Sequence, residues 1–212
     1  MNQILKWFED FRLIAVIRSS SADDAEEMIK AASAGGFRLF EISMQTPHAL
    51  KLLEHHSKQP DFFFGAGLVT DGEMAQRAIN AGARFLSTPY TDKDVINVAK
   101  NNEGFVIQGA FTLNEAVNAT QLGADMVRIY PAYAAGGPPY LKSLRAALPS
   151  LKLAAAGGVD LATAPEYLKY CIAVFLNKAL FARPLVRYDN WNQLTERARL
   201  FTQKVEASKV AK

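Results

Sequence analysis

Cysteine is almost missing from this chain. Cys171 stands alone among 212 residues, which excludes an internal disulfide and suits a reducing compartment. Histidine is nearly as scarce: His48, His55 and His56 all fall in one segment, so a metal centre built on imidazoles has few ligands to draw on. No apolar run approaches the length of a membrane span. The opening stretch from Met1 to Asp10 lacks the apolar centre of a signal peptide, and a cytoplasmic location is the expectation. Neither sign of charge prevails: 24 Lys and Arg face 21 Asp and Glu, a net +3 spread along the chain. That balance gives no basic arm for nucleic acid and no patch for an anionic membrane. Linkers and low-complexity runs are missing too, and no glycine-rich dinucleotide fingerprint follows the first apolar run.

What is present is a regular alternation. Short apolar runs occur at Leu13–Ile17, Leu39–Ile42, Phe62–Phe64, Phe85–Leu86, Phe105–Ile107, Met126–Tyr130, Leu153–Ala155 and Ile172–Leu176. Amphipathic segments separate them. Ser21, followed by Asp23, Asp24, Glu26 and Glu27, opens one helix with a cap and a negative first turn. Further helices are expected from Asp71 to Ala81, Thr91 to Lys100, Thr112 to Leu122 and Pro139 to Ala147. Small-residue stops such as Gly35-Gly36, Gly82 and Gly123 recur before strands two, four and six. Eight βα units in one short chain predict an α/β fold, a single (β/α)8 TIM barrel over residues 1–212. An open doubly wound sheet is the competing architecture. An extra helix is expected at each end. The N-terminal one, with Ile4, Leu5, Trp7 and Phe8, is expected to plug the barrel bottom or form a subunit contact. The C-terminal one carries a stripe of Trp191, Leu194, Ala198, Phe201 and Val205.

In such a barrel the chemistry sits where the strands end. Those ends carry Arg18, Glu41 with Ser43 and Gln45, Gly67, Pro89, Gln108, Arg128, Gly157 with Gly158, and Asn177 with Lys178. Arg128 is the informative one. A lysine ending a buried strand can attack a ketone and form an imine, whereas a guanidinium stays protonated and has no lone pair to offer. Glu41 and Arg128 can both face the barrel interior, so an ion pair between them is expected, one that keeps Glu41 ionised. Cys171, at the start of strand eight, lies at the wrong end for a nucleophile. His55 and His56, being adjacent, are expected on different sides of their helix. No metal is expected, and no cofactor.

Several phrases together resemble the family of 2-keto-3-deoxy-6-phosphogluconate (KDPG) and 4-hydroxy-2-oxoglutarate (KHG) aldolases, with its 6-phosphogalactonate variant. They are Ile14–Arg18, Phe40–Ser43 with Thr46-Pro47, Gly65–Val69, Thr88-Pro89, Ile129–Ala132 with Gly136-Gly137, and Ala156–Val159. The resemblance runs from about residue 12 to residue 180. It implies a barrel, commonly a homotrimer, that cleaves a 2-keto-4-hydroxy acid to pyruvate and an aldehyde. It also implies a strand-six lysine that forms a carbinolamine and then an imine, the electron sink for the cleavage, with a strand-two glutamate moving protons. Glu41 matches that glutamate, and Arg128 occupies the lysine position. Other departures are Leu68 where a threonine is expected, Gln108 for a proline, Gln45 where some members carry an arginine, Ala155-Ala156 before the double glycine, and Asn177-Lys178 for a small-residue turn.

Three readings stay open at this point. The chain is a lyase whose amine has moved to Lys178; or it binds a 2-keto acid or sugar-acid phosphate without aldolase turnover; or it is an interaction protein on an inherited barrel. Glu41 and Lys178 are the expected catalytic residues, and Arg18, Gln45, Gly67, Pro89, Arg128, Gly157 and Gly158 are expected to contact substrate. In the second reading Arg128 and Arg18 hold a carboxylate, and Gly157, Gly158 and Lys178 hold a phosphate.

Overall fold

The computed structural model describes residues 3–210. Its elements run α1 (Gln3–Phe11), β1 (Leu13–Ile17), α2 (Ala22–Ala34), β2 (Leu39–Ser43), α3 (Ala49–His56), β3 (Phe63–Gly67), α4 (Gly72–Asn80), β4 (Phe85–Ser87) and α5 (Lys93–Asn101). They continue with β5 (Phe105–Ala110), α6 (Leu113–Gln121), β6 (Met126–Ile129), α7 (Pro138–Ala147), β7 (Leu153–Ala156), α8 (Ala164–Tyr167), β8 (Ala173–Leu176), α9 (Arg183–Arg187) and α10 (Trp191–Val210). Every strand pairs in parallel with its sequence neighbours, and β1 also pairs with β8 through Leu13↔Val174 and Ala15↔Leu176. That last pairing closes the barrel and removes the open sheet from consideration.

Local chemistry starts the helices where the sequence marks them. Ser21, Asp71 and Asp92 accept from backbone amides three residues on, and Thr112 forms a reciprocal capping box with Glu115. Asp92, rather than Thr91, is the cap of α5, so that helix begins two residues later than the sequence suggests. Strand β5 is longer than its apolar run, continuing through Gln108 to Ala110, because backbone pairing with β6 does not stop where hydrophobicity does. Two short helices, α8 and α9, have no apolar periodicity to announce them.

Two apolar layers follow from the alternation of side chains along each strand. Outward residues such as Phe40, Ile42, Phe64, Val127 and Val174 pack beneath the helices. Inward residues Ile14, Leu39, Phe63, Phe85, Phe105, Met126, Ala173 and Phe175 fill the lumen, joined from below by Leu5 and Phe8 of α1. The first helix is therefore a plug of the barrel bottom. At the other flank α10 buries Leu194, Ala198, Phe201 and Val205 against α2. Gly35 permits that approach: a Cβ there would lie 2.3 Å from that of Ala198. Cys171 is buried at the bottom, and burial pushes its thiol up to about 12, which keeps it protonated and unreactive. Among the described residues no helix is long and apolar enough to cross a membrane.

Candidate functional site

The inward register of β2 and β6 sets the centre of the site. Glu41 lies two residues above inward Leu39, and Arg128 two above inward Met126, so both side chains enter the upper lumen. They are 3% and 8% exposed respectively, and Arg128 Nη1 lies 3.2 Å from Glu41 Oε2 and 3.5 Å from Oε1. Nη2 donates to the Thr88 carbonyl at 2.9 Å, and the guanidinium carbon sits 5.0 Å above the Phe175 ring. Arg128 Nε is buried and has no hydrogen-bond partner among the described residues. Room for the Glu41 carboxylate comes from Gly67 on β3, where a Cβ would lie 2.3 Å from it.

The expected ion pair forms, and burial works against its expected consequence. Burial pushes the Glu41 carboxyl above the usual carboxylate range, against the pull of Arg128 and of Ser87. The contact at 3.2 to 3.5 Å is longer than a charge-assisted hydrogen bond of about 2.7–2.9 Å, so it offsets only part of the desolvation. A carboxyl whose folded pKa is raised adds stability below its unfolded pKa and loses it as pH rises through the folded value. The margin of wild type over Glu41→Gln should therefore shrink as pH rises from about 4 to 7, read as melting temperature; a margin that widens would contradict the raised carboxyl.

Around this pair lies a cavity of about 610 Å³ at the barrel mouth, lined by Arg18, Pro89, Gly157, Gly158 and Lys178 in addition to Glu41 and Arg128. Gly157 and Gly158 take φ of +80° and +79°, a left-handed path that bends the backbone around the cavity. Two residues picked from the sequence stand apart from this wall. Gly67 lies behind Glu41, and Gln45 borders an adjoining cleft while its Oε1 accepts from Arg18 at 2.6 Å. The lining also includes Phe175 and Tyr133, which sequence reasoning passed over. The inward alternation Ala173-Phe175 was the available signal for the first; Tyr133, folded over Gly158 from a loop, gave none. Gln108, in place of a proline, uses its Oε1 to accept from the Asp92 amide at 2.6 Å. Asp160 is tied to its own loop through the Thr163 amide and hydroxyl, which hold its carboxyl below the usual range.

The histidines need one correction. His55 is exposed and His56 buried, yet their rings meet edge-on at 4.9 Å instead of diverging. With Glu26 they place three ligand-type atoms within 4.8 Å of one another on the outer helices. His56 is already engaged on both nitrogens, by Glu26 at 2.8 Å and Gln59 at 3.0 Å.

Comparison with known proteins places this site in context. The KDPG and KHG aldolase family model matches residues 4–196. The chain belongs to that family. A 2-dehydro-3-deoxy-phosphogluconate aldolase of Pseudomonas aeruginosa is 30% identical over 158 residues, 74% of this chain and 72% of the relative. A 2-dehydro-3-deoxy-6-phosphogalactonate aldolase of Escherichia coli is 30% identical over 160 residues, 73% and 77% of the two chains. Among solved structures, the KDPG aldolase of Legionella pneumophila, with pyruvate captured as a covalent carbinolamine, superposes with a TM-score of 0.84. It is 28% identical and the match covers 93% of this chain and 97% of that one. Aldolase chemistry is thus the function that this family's relatives carry.

Proposed function

We propose that the barrel mouth binds a 2-keto acid or sugar-acid phosphate of the kind its relatives' names give as substrates, and that no imine forms on strand six. By kinship the site is that of an aldehyde-lyase for 2-keto-4-hydroxy acids; its own residues make it an anion-binding version of that site. The observation that carries this reading is the buried guanidinium of Arg128, whose Nε–H has no partner among the described residues and which lies beside the raised carboxyl of Glu41. A ligand carboxylate or ketone oxygen satisfies that donor, which otherwise forfeits about 1–3 kcal/mol of hydrogen bonding. Arg18 supplies a second cation to the same cavity, and Gly157, Gly158 and Lys178 form the side suited to a phosphate. The ligand needs no cofactor in this arrangement, and the protein works as a cytoplasmic homotrimer, in line with the family resemblance and the single cysteine.

One observation favours a second reading. Lys178 lines the same cavity as Glu41, so an amine is present at the mouth even though strand six has none. Borohydride reduction with excess pyruvate, followed by peptide mapping, separates the two. The expected result is no specific adduct, together with a rise in melting temperature on adding 6-phosphogluconate. A single pyruvate-derived adduct on Lys178 that disappears in Lys178→Ala would replace the binding reading with a relocated imine-forming lyase.

A further inference from the structure

A second concavity of about 1060 Å³ opens beside the mouth, between the loop after β1, the turn after β8 and helix α9. It shares Arg18 and Lys178 with the mouth cavity and adds Arg183 and Arg187. Asp24 is the carboxylate on its wall. Elsewhere on the surface Lys6, Lys30, Lys100, Lys169, Arg199 and Lys209 each pair with a carboxylate. None of the cleft's cations does. Arg18 donates to the neutral amide of Gln45, Arg187 lies over the Tyr188 ring at 5.7 Å, and Lys178 and Arg183 form no hydrogen bond or ion pair among the described residues.

Like charges gathered in a concave wall repel one another and raise the local anion concentration. A linked pair of phosphates brings more negative charge and more acceptor oxygens to these cations than a single phosphate does. The mouth cavity, at about 610 Å³, is already roomy for a sugar-acid phosphate, since small-ligand sites span roughly 300–1,000 Å³. We infer that the cleft beneath α9 is a separate binding site for a polyphosphate group, coupled to the mouth through the shared Arg18 and Lys178. Occupancy of either compartment draws on those two cations, so each ligand weakens the other by the same factor.

Titration calorimetry of the full chain at constant ionic strength tests this with inorganic phosphate, pyrophosphate and ADP, in wild type and in the double variant Arg183→Ala/Arg187→Ala. Pyrophosphate should bind wild type about tenfold or more tightly than phosphate, the scale of one or two charge-assisted contacts. The double variant should lose that advantage while binding 6-phosphogluconate as before. ADP binding as tightly as pyrophosphate identifies a nucleotide as the source of the group; pyrophosphate alone identifies the free anion, and either supports the site. Equal affinity for phosphate and pyrophosphate overturns it, as does undiminished pyrophosphate binding by a double variant that keeps the wild-type melting temperature. Loss of 6-phosphogluconate binding in wild type, with the pyrophosphate result intact, would sink the proposed function and leave this site standing.

Discussion

Phe8→Ala is expected to cost the barrel about 3–5 kcal/mol, a large part of the roughly 5–15 kcal/mol that holds a folded protein together. Phe8 is fully buried, and its ring meets those of Phe63, Phe85 and Phe105 at 5.8, 5.3 and 5.1 Å. These three rings come from β3, β4 and β5, and all point down the lumen. Each aromatic contact adds to the area removed from water. The substitution would leave a void at the convergence of three strands whose backbones are fixed by closed-barrel pairing, so collapse into it is limited. Phe11, at the end of the same helix and 38% exposed, is the control: its alanine variant should shift stability by about 0.5 kcal/mol or less. Denaturant midpoints read both. Equal midpoints for the two variants would mean that α1 contributes nothing to the barrel in solution.

The plug, the barrel and the polar strand ends were legible in the sequence because each rests on a periodicity. Alternation along the strands predicts that Glu41 and Arg128 share the lumen with Leu39 and Met126, and the three-to-four spacing of Leu194, Ala198, Phe201 and Val205 predicts the packed face of α10; the structure has both arrangements. The upward push of burial on the Glu41 carboxyl could not be read from the pairing alone. Desolvation depends on how completely Gly67, Phe175 and the surrounding strands exclude water, and no local pattern encodes that. Helix α9 and its arginines were invisible for a related reason. A five-residue helix without a buried residue leaves no periodic trace, and its place beside the mouth is set by the path of the chain after β8. Tyr133 belongs to the same class: it reaches Gly158 by loop geometry, not by register.

Arg128→Lys should turn the proposed anion-binding pocket into an imine-forming one. The substitution shortens the side chain but leaves a nitrogen in the space now filled by the guanidinium, beside Glu41 and above Phe175. A buried amine has its pKa lowered by desolvation, which frees a lone pair for attack on a ketone. The raised Glu41 carboxyl then supplies the proton that lets water leave the carbinolamine, so nucleophile and acid–base partner come from residues already placed. Pyruvate with borohydride should label the peptide carrying position 128, and cleavage of a 2-keto-4-hydroxy acid should rise above wild type by on the order of 100-fold or more, the lower end of what a positioned acid–base group contributes. Leu68, lining the mouth where the resemblance expects a hydroxyl, limits substrate orientation, so Leu68→Thr added to Arg128→Lys should raise cleavage further without changing the labelling. The double variant Arg128→Lys/Glu41→Gln should still bind pyruvate but form the adduct slowly, because the proton carrier is gone. Absence of label in an Arg128→Lys protein that keeps its wild-type melting temperature would show that the end of strand six is not a reacting position in this barrel.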